Sequence, residues 1–279
     1  MPEGDTVFLA ATRLDRALGG RVLTRTDFRV PRYSTVDLSG RRIHEVAPRG
    51  KHLLFRIGDD VTLHTHFRMD GTWHIYQRGE RWRQPGHEAR VVLETEPYVA
   101  VGFRLPVVEV LDRSEEERVV GHLGPDLLGP DWDPDEATRR LSADPTRPIG
   151  DALLDQTVMA GLGNVYRSEI CFLLGLDPMT RVADVSDLAR VVDRSRATIY
   201  ANRRTGNQIT TGDTRPGRTH WVYGRGGEPC RRCSTPIERT HEGPAGGQRV
   251  VYQCPRCQPS ARDRIAHEPA AHVHGARGA

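Results

Sequence analysis

The chain has almost no lysine: 40 residues are basic, and every one except Lys51 is an arginine. An arginine bias this strong reflects genomic base composition, so a position that keeps lysine points to a need for a compact amine able to lose its proton, which a guanidinium cannot supply. Chance retention is the competing explanation. Long apolar runs are missing too. No stretch approaches the roughly 20 residues of a membrane span, and hydrophobic residues make up only 37%. The N-terminus lacks the basic-then-apolar design of a signal peptide. These absences predict a cytoplasmic protein with no membrane association. At 279 residues, two compact domains, or two and a small module, each with its own core, are expected.

Net charge is only +3, which alone names no polyanionic partner. Its distribution is uneven. From Arg203 to Arg264 there are 12 arginines against 5 carboxylates, so the rest of the chain is slightly acidic. Inside this basic segment lie Cys230-x2-Cys233 and Cys254-x2-Cys257, with 20 residues between the pairs. That spacing suits two knuckles holding one tetrahedral Zn2+ ion. Disulfides are the alternative, disfavoured by a reducing compartment and by the poor geometry of two CxxC pairs for stapling a fold. The segment between the pairs carries a Pro-containing turn, Gly246-Gly247, and the strand-like Arg249-Val250-Val251-Tyr252, which predicts a two-stranded zinc ribbon. A module of roughly 35 residues buries too little apolar surface to fold unaided, whereas structural zinc contributes on the order of 10–16 kcal/mol. With no fifth ligand nearby, the site is expected to be closed and structural. Arg231, Arg232, Arg249 and Arg256 keep the ribbon basic, and a hairpin carrying Arg249 can reach a phosphate or a groove. A solvated ribbon face is the bland reading. The fifth cysteine, Cys171, sits in Ile170-Cys171-Phe172-Leu173 and reads as buried and inert.

At the other end the chain starts Met1-Pro2-Glu3-Gly4. Removal of Met1 would leave Pro2 with a secondary amine, a nucleophile substantially unprotonated near neutrality because its pKa lies near ~8. Glu3 would put a general acid or base beside it. An ordinary proline after a start codon is the alternative. From Asp5, read as N-cap, to Leu18, apolar residues recur at Val7, Ala10, Ala11, Leu14, Ala17 and Leu18, with Gly19-Gly20 as the stop, which predicts an amphipathic helix. Its positive end would keep the Pro2 amine unprotonated. Short β-rich runs follow at Val22-Leu23, 52–57, 61–66, 73–76, 90–93 and 107–111, as in a β-sandwich or barrel. Lys51 stands in the turn before the second run. Gly124-Pro125, Gly129-Pro130 and Asp133-Pro134 mark a boundary, after which helices are predicted near 135–141, 149–156, 165–174 and 187–200. Between the second and third of these, Ala160-Gly161-Leu162-Gly163-Asn164 forms a turn with Asn164 placed as N-cap. No third glycine follows, so a nucleotide loop is weakly supported; contact with a DNA backbone is the better reading. His64 and His66 share a strand face but lack a third ligand and read as structural.

Four features in this order, Met1-Pro2-Glu3-Gly4, Arg49-Gly50-Lys51, Leu153 to Asn164, and the ribbon from Cys230 to Cys257, resemble the formamidopyrimidine-DNA glycosylase and endonuclease VIII family along nearly the whole chain. The start Met-Pro-Glu-Gly-Asp-Thr is most similar to the actinobacterial endonuclease VIII type. The resemblance implies an α+β multidomain fold: an N-terminal catalytic β-sandwich with its helix over 1–124, a helix–two-turns–helix DNA-binding domain over 125–222 and a zinc finger over 223–258; by composition, 259–279 reads as a disordered tail. It further implies a bifunctional glycosylase and abasic-site lyase of base-excision repair acting as a monomer on damaged DNA, with oxidised pyrimidines preferred. A non-catalytic zinc-ribbon DNA-binding protein is the alternative. By resemblance, Pro2 attacks C1′ of a flipped nucleotide, Glu3 protonates the sugar, and Lys51 is the catalytic lysine. Asn164 and Arg249 contact phosphate, the latter in δ-elimination, and Arg68 and Met69 fill the space left by the flipped base. His122 falls where a basic DNA contact is usual, though histidine is the weaker contact at neutral pH. Asp5-Thr6 departs from the Pro-Glu common in the family. The segment 210–218 stands where the base would be read.

Overall fold

The computed structural model describes residues 2–242 and 249–260. Met1, the Gly246-Gly247 turn and the tail from residue 261 onward lie outside the described residues. The chain opens with helix α1 (Gly4–Leu18), whose Val7, Ala11, Leu14 and Leu18 are buried at helical spacing. Gly19 closes it, and Gly20 turns the chain at φ +73°, a conformation suited to glycine.

Eight strands follow: β1 (Arg25–Phe28), β2 (Ile43–Arg49), β3 (His52–Ile57), β4 (Val61–His66), β5 (Thr72–Gln77), β6 (Ala89–Glu94), β7 (Tyr98–Phe103) and β8 (Val107–Asp112). They form two antiparallel four-stranded sheets, ordered β1-β6-β7-β5 and β2-β3-β4-β8. The predicted sandwich is therefore present. Leu53, Phe55 and Ile57 of β3 and Leu63 of β4 meet Val91, Leu93 and Ala100 of the other sheet in one core, with α1 packed against it. The opposite face of β3 and β4 carries His52, Leu54, His64 and His66, two residues apart as strand alternation requires. Leu54 joins Val120, Leu123 and Ala160 in a small apolar cluster between the sandwich and the helices.

A short helix α2 (Glu116–Val120) leads to α3 (Pro134–Ser142), α4 (Ile149–Leu154), α5 (Asn164–Leu174) and α6 (Leu188–Asn202). Their core gathers Leu141, Ile149, Leu153, Met159, Tyr166, Ile170, Val191 and Ile199. Strands β9 (Glu238–Glu242) and β10 (Arg249–Gln253) pair antiparallel, and Phe172, Trp221, Val222 and Ile237 pack with the cysteines beneath them. Among the described residues no helix is long and apolar enough to cross a membrane.

Three local expectations are corrected. Val22 makes only an isolated bridge to Arg42, and the strand begins at Arg25. Asp5 is not the N-cap of α1; Glu3 holds that position. Asn164 does not cap α5, where Gly163 is N-cap and Asn164 is the first helical residue.

Candidate active site

The site forms where the N-terminal segment meets the turn before α5. Gly4 N–H donates to Gly161 O at 2.8 Å, and a Cβ on Gly4 would lie 2.9 Å from Gly161 Cα. Only glycine permits this approach, and Gly161 itself stands at φ +119°. The contact drives the Glu3 side chain into the N-terminal end of α5, where its carboxylate accepts from Gly163 N–H at 2.6 Å and Val165 N–H at 2.8 Å. A side chain 160 positions away therefore satisfies two of the helix's orphan donors. Glu3 is fully buried. Burial pushes its carboxyl up to about 7, against the opposing pull of the Lys51 charge and of the two N–H groups. Near neutral pH it is thus divided between acid and base forms.

Lys51 occupies the turn between β2 and β3, and that turn is pinned to the chain entering the helical unit. Gly50, at φ +56°, donates its N–H to Asp126 Oδ2 at 2.7 Å. Arg49 pairs with Asp131 at 2.7 Å and reaches Gly124 O at 3.3 Å. Burial pushes the Lys51 ammonium down; Glu3 opposes the shift and Arg249 reinforces it. Glu3, Lys51 and Arg249 consequently share one electrostatic neighbourhood, although they come from α1's approach, a sandwich turn and the ribbon. Pro2 is half-buried and lines a cavity of about 490 Å³ together with Thr6, Leu9, Phe67, Trp73 and Ile75.

Around this centre the structure adds Tyr166, Arg167 and Glu169, which sequence reasoning missed, and gives Asp5 and Asn164 their partners. Asp5 is buried and accepts from Tyr166 Oη at 2.9 Å, and burial raises its carboxyl. Asn164 Nδ2 and Arg167 Nη2 both donate to Val250 O, at 2.8 and 3.0 Å, which ties α5 to β10 just beside the exposed Arg249. Glu169, fully buried on α5, accepts from the N–H groups of Trp221, Val222 and Tyr223 at 2.8 Å each and from the Thr210 hydroxyl. It anchors the start of the 210–218 segment and the chain just beyond its end. Gln156 bridges Leu154 O, Leu162 O and Gly161 N–H, fixing the turn. The available signal was charge on a helix with no polar face: Arg167, Ser168 and Glu169 are all buried.

The remaining predicted residues divide between exposed and buried positions. Arg68 and Met69 are exposed in the turn after β4, Arg68 in the left-handed region at φ +49° and Met69 at 60% exposure. His122 is exposed with its ring 6.3 Å from that of His52. His64 is buried and hydrogen-bonded to Glu109 and His52. Cys171 is fully buried. The four other cysteines form the one cluster among the described residues able to hold a metal ion, all four sulfurs lying within 4.8 Å of one another. Their closest separations, 3.4 to 3.9 Å, compare with about 3.8 Å for a tetrahedron of ~2.3 Å metal–sulfur bonds. They are too long for disulfides.

Fold and site define a class: a β-sandwich joined to a helix–two-turns–helix unit and a four-cysteine ribbon, with an acid and an amine buried where the three meet. The formamidopyrimidine-DNA glycosylase N-terminal domain matches residues 1–122 and the formamidopyrimidine-DNA glycosylase H2TH domain matches residues 123–210. The chain belongs to the formamidopyrimidine-DNA glycosylase family. It is 52% identical over 261 residues to the probable endonuclease 8 2 of Streptomyces coelicolor, covering 92% of this chain and 94% of that one. It is 53% identical over 258 residues to the DNA-(apurinic or apyrimidinic site) lyase Nei2 of Mycolicibacterium smegmatis, covering 92% and 99%. Its fold is similar to that of Lactococcus lactis formamidopyrimidine-DNA glycosylase in a complex with DNA containing an abasic site, with a TM-score of 0.77 at 23% identity over 93% of this chain and 100% of that one.

Proposed function

We infer that the chain is a bifunctional DNA glycosylase and abasic-site lyase of base-excision repair, and that oxidised pyrimidines are its preferred lesions. The observation that carries the reading is the buried Glu3, held near half-protonation beside Lys51 and next in sequence to Pro2. A carboxyl kept in that state is a proton donor and acceptor at working pH.

In the proposed reaction, the Pro2 nitrogen, freed by loss of Met1, attacks C1′ of a nucleotide flipped toward the cavity. The C1′–base bond breaks and the base leaves with the bonding pair. Glu3 protonates the deoxyribose ring oxygen as the ring opens, and an iminium joins Pro2 to C1′. Loss of a C2′ proton expels the 3′ phosphate by β-elimination, and δ-elimination expels the 5′ phosphate. Lys51, lowered by burial, assists these proton transfers, while Arg249 and Asn164 hold the flanking phosphate. Arg68 and Met69 enter the gap left by the base, their exposed turn leaving them free to do so, and His122 contacts the backbone. The pyrimidine preference rests on the resemblance to the endonuclease VIII branch.

One structural Zn2+ ion held by Cys230, Cys233, Cys254 and Cys257 completes the proposal, supported by the sulfur spacing; it would supply folding energy to the ribbon and take no part in the reaction. A monomer working in the cytoplasm on the nucleoid is part of the same reading, as is the division into 1–124, 125–222 and 223–258, of which the separate apolar cores of the first two parts support the first boundary.

The test is reduction with borohydride of untagged protein mixed with an oligonucleotide bearing one abasic site, followed by mass mapping. A reduced adduct on Pro2 is expected. No adduct, from protein shown to lack Met1 and to contain zinc, returns the non-catalytic DNA-binding reading.

A further inference from the structure

Behind Lys51, one hydrogen-bonded chain crosses three strands of the outer sheet face. Glu109 on β8 lies opposite His64 on β4, and its Oε2 is 2.8 Å from His64 Nδ1. His64 Nε2 is 2.8 Å from His52 Nδ1 on β3, with the two rings stacked at 5.0 Å. The tautomers follow from the donors available. An ionised carboxylate only accepts, so His64 carries its proton on Nδ1 and offers a lone pair at Nε2. His52 must then donate from Nδ1. Its Nε2 is left as a lone pair, and among the described residues no side chain or backbone group bonds to it. It is also not one of the buried unpaired atoms, so it faces solvent.

In this state the outermost nitrogen of the chain repels a phosphate oxygen, since both are acceptors. Turning Nε2 into a donor while keeping both internal hydrogen bonds requires one additional proton, whichever member of the chain finally holds it. A proton arriving at His52 Nε2 releases the one on Nδ1 to His64 Nε2, which releases its Nδ1 proton to Glu109. The chain takes up one proton, and no bond is otherwise made or broken.

We propose that the Glu109–His64–His52 chain is a proton relay through which a DNA phosphate docking beside Lys51 is matched by uptake of one proton, so that His52 becomes a phosphate contact only in the complex. This rests on the DNA-directed reading above. The groups facing the chain favour such coupling. Burial first, and then His66, 4.9 Å from His52 by ring centroids, with His64, His122 and Arg68, disfavour a charge on His52 in the free protein. Lys51 acts in the same direction on His66. A phosphodiester offsets that positive field and so lowers the part of the obstacle that neighbouring charge supplies.

The relay is tested by titration calorimetry of the full-length, zinc-loaded protein at pH 7.5 with duplex DNA carrying a tetrahydrofuran abasic analogue, in buffers of different ionisation enthalpy. His52→Gln is expected to take up nearly one proton fewer per duplex than the unsubstituted protein. Glu109→Gln keeps an acceptor for His64 Nδ1 but cannot receive a proton; Glu109 is about a third exposed, so the fold should tolerate the change. Its uptake should also fall, and by linkage its affinity should weaken less steeply as pH rises than that of the unsubstituted protein. Unchanged proton uptake in both variants, with borohydride trapping on Pro2 intact, overturns the relay and leaves the glycosylase reading standing. Absence of both DNA binding and trapping in the unsubstituted protein overturns the two together.

Discussion

In the proposed reaction Glu3 performs two tasks with one carboxyl group, and the tasks make different demands. As a cap on α5 it must accept two N–H bonds; as an acid it must carry a proton. Burial settles the balance near pH 7. The sign follows: the acid role is lost as pH rises through about 7, while the amine role of Pro2 is lost as pH falls and the nitrogen protonates. A bell-shaped profile for base release is expected. Glu3→Gln retains a side chain of the same shape without the proton. Base release from an oxidised pyrimidine should fall by roughly 10²–10⁴-fold. Strand cleavage at a preformed abasic site should persist within about tenfold of normal, because the open-chain aldehyde needs no ring protonation. Single-turnover assays on the two substrates check this, and equal loss on both would assign Glu3 a capping role alone. The same shift acts on stability. The unfolded chain ionises Glu3 from about 4.5 while the native chain does so only near 7, so native stability declines across that window as pH rises.

Elements with a local cause were legible in the sequence, and those with a distant cause were not. The apolar spacing of Val7, Leu14 and Leu18 locates α1, and that of Val191, Val192 and Ile199 locates α6, because a helix writes its buried face every three or four residues. Strand β7 was missed because Tyr98–Phe103 is buried on both faces for most of its length and shows no alternation. Strand β2 was missed because a register shift between Ile43 and Glu45 breaks its pattern. The caps failed for another reason. Asp5 and Asn164 have the right chemistry for an N-cap, but the groups that hold the two helix starts come from elsewhere: Gly4 is bonded to Gly161, and Glu3 reaches α5. The motif positions were therefore readable, whereas the buried partners Tyr166, Glu169 and Asp126 required the fold. This arrangement makes Gly163 a sensitive position. A Cβ there would sit 2.5 Å from Glu3 Cδ, so Gly163→Ala must expel the carboxylate and leave buried N–H groups unpaired. A loss of about 2–4 kcal/mol is expected, read as a lower midpoint in thermal or urea unfolding, together with loss of trapping on Pro2 in protein that is still folded. A stable variant with normal trapping would show that the helix start does not depend on Glu3.

At the scale of the molecule, the sandwich and the helical unit each have an apolar core, whereas the ribbon shares a small cluster with Phe172 and Val222 and gathers four cysteines able to hold a metal ion. The ribbon is also what brings Arg249 to Lys51 and Val250 to Asn164 and Arg167. Loss of the metal should therefore release one corner of the site while the other two parts stay folded. In the chelated protein, far-UV circular dichroism should change little, since the ribbon contributes only two short strands. DNA affinity should drop markedly at low salt, because the arginines of the ribbon no longer face the backbone as a set. The salt dependence separates this outcome from general damage. Each phosphate contact contributes about 0.9 to the slope of log affinity against log salt, so Arg249→Ala with zinc retained should lower the slope by about one. Metal removal should lower it by at least as much, and readdition of Zn2+ should restore it. If chelation weakened binding while leaving the slope unchanged, the ribbon would be supporting the fold of its neighbours rather than holding phosphate, and Arg249 would lose its place in the site.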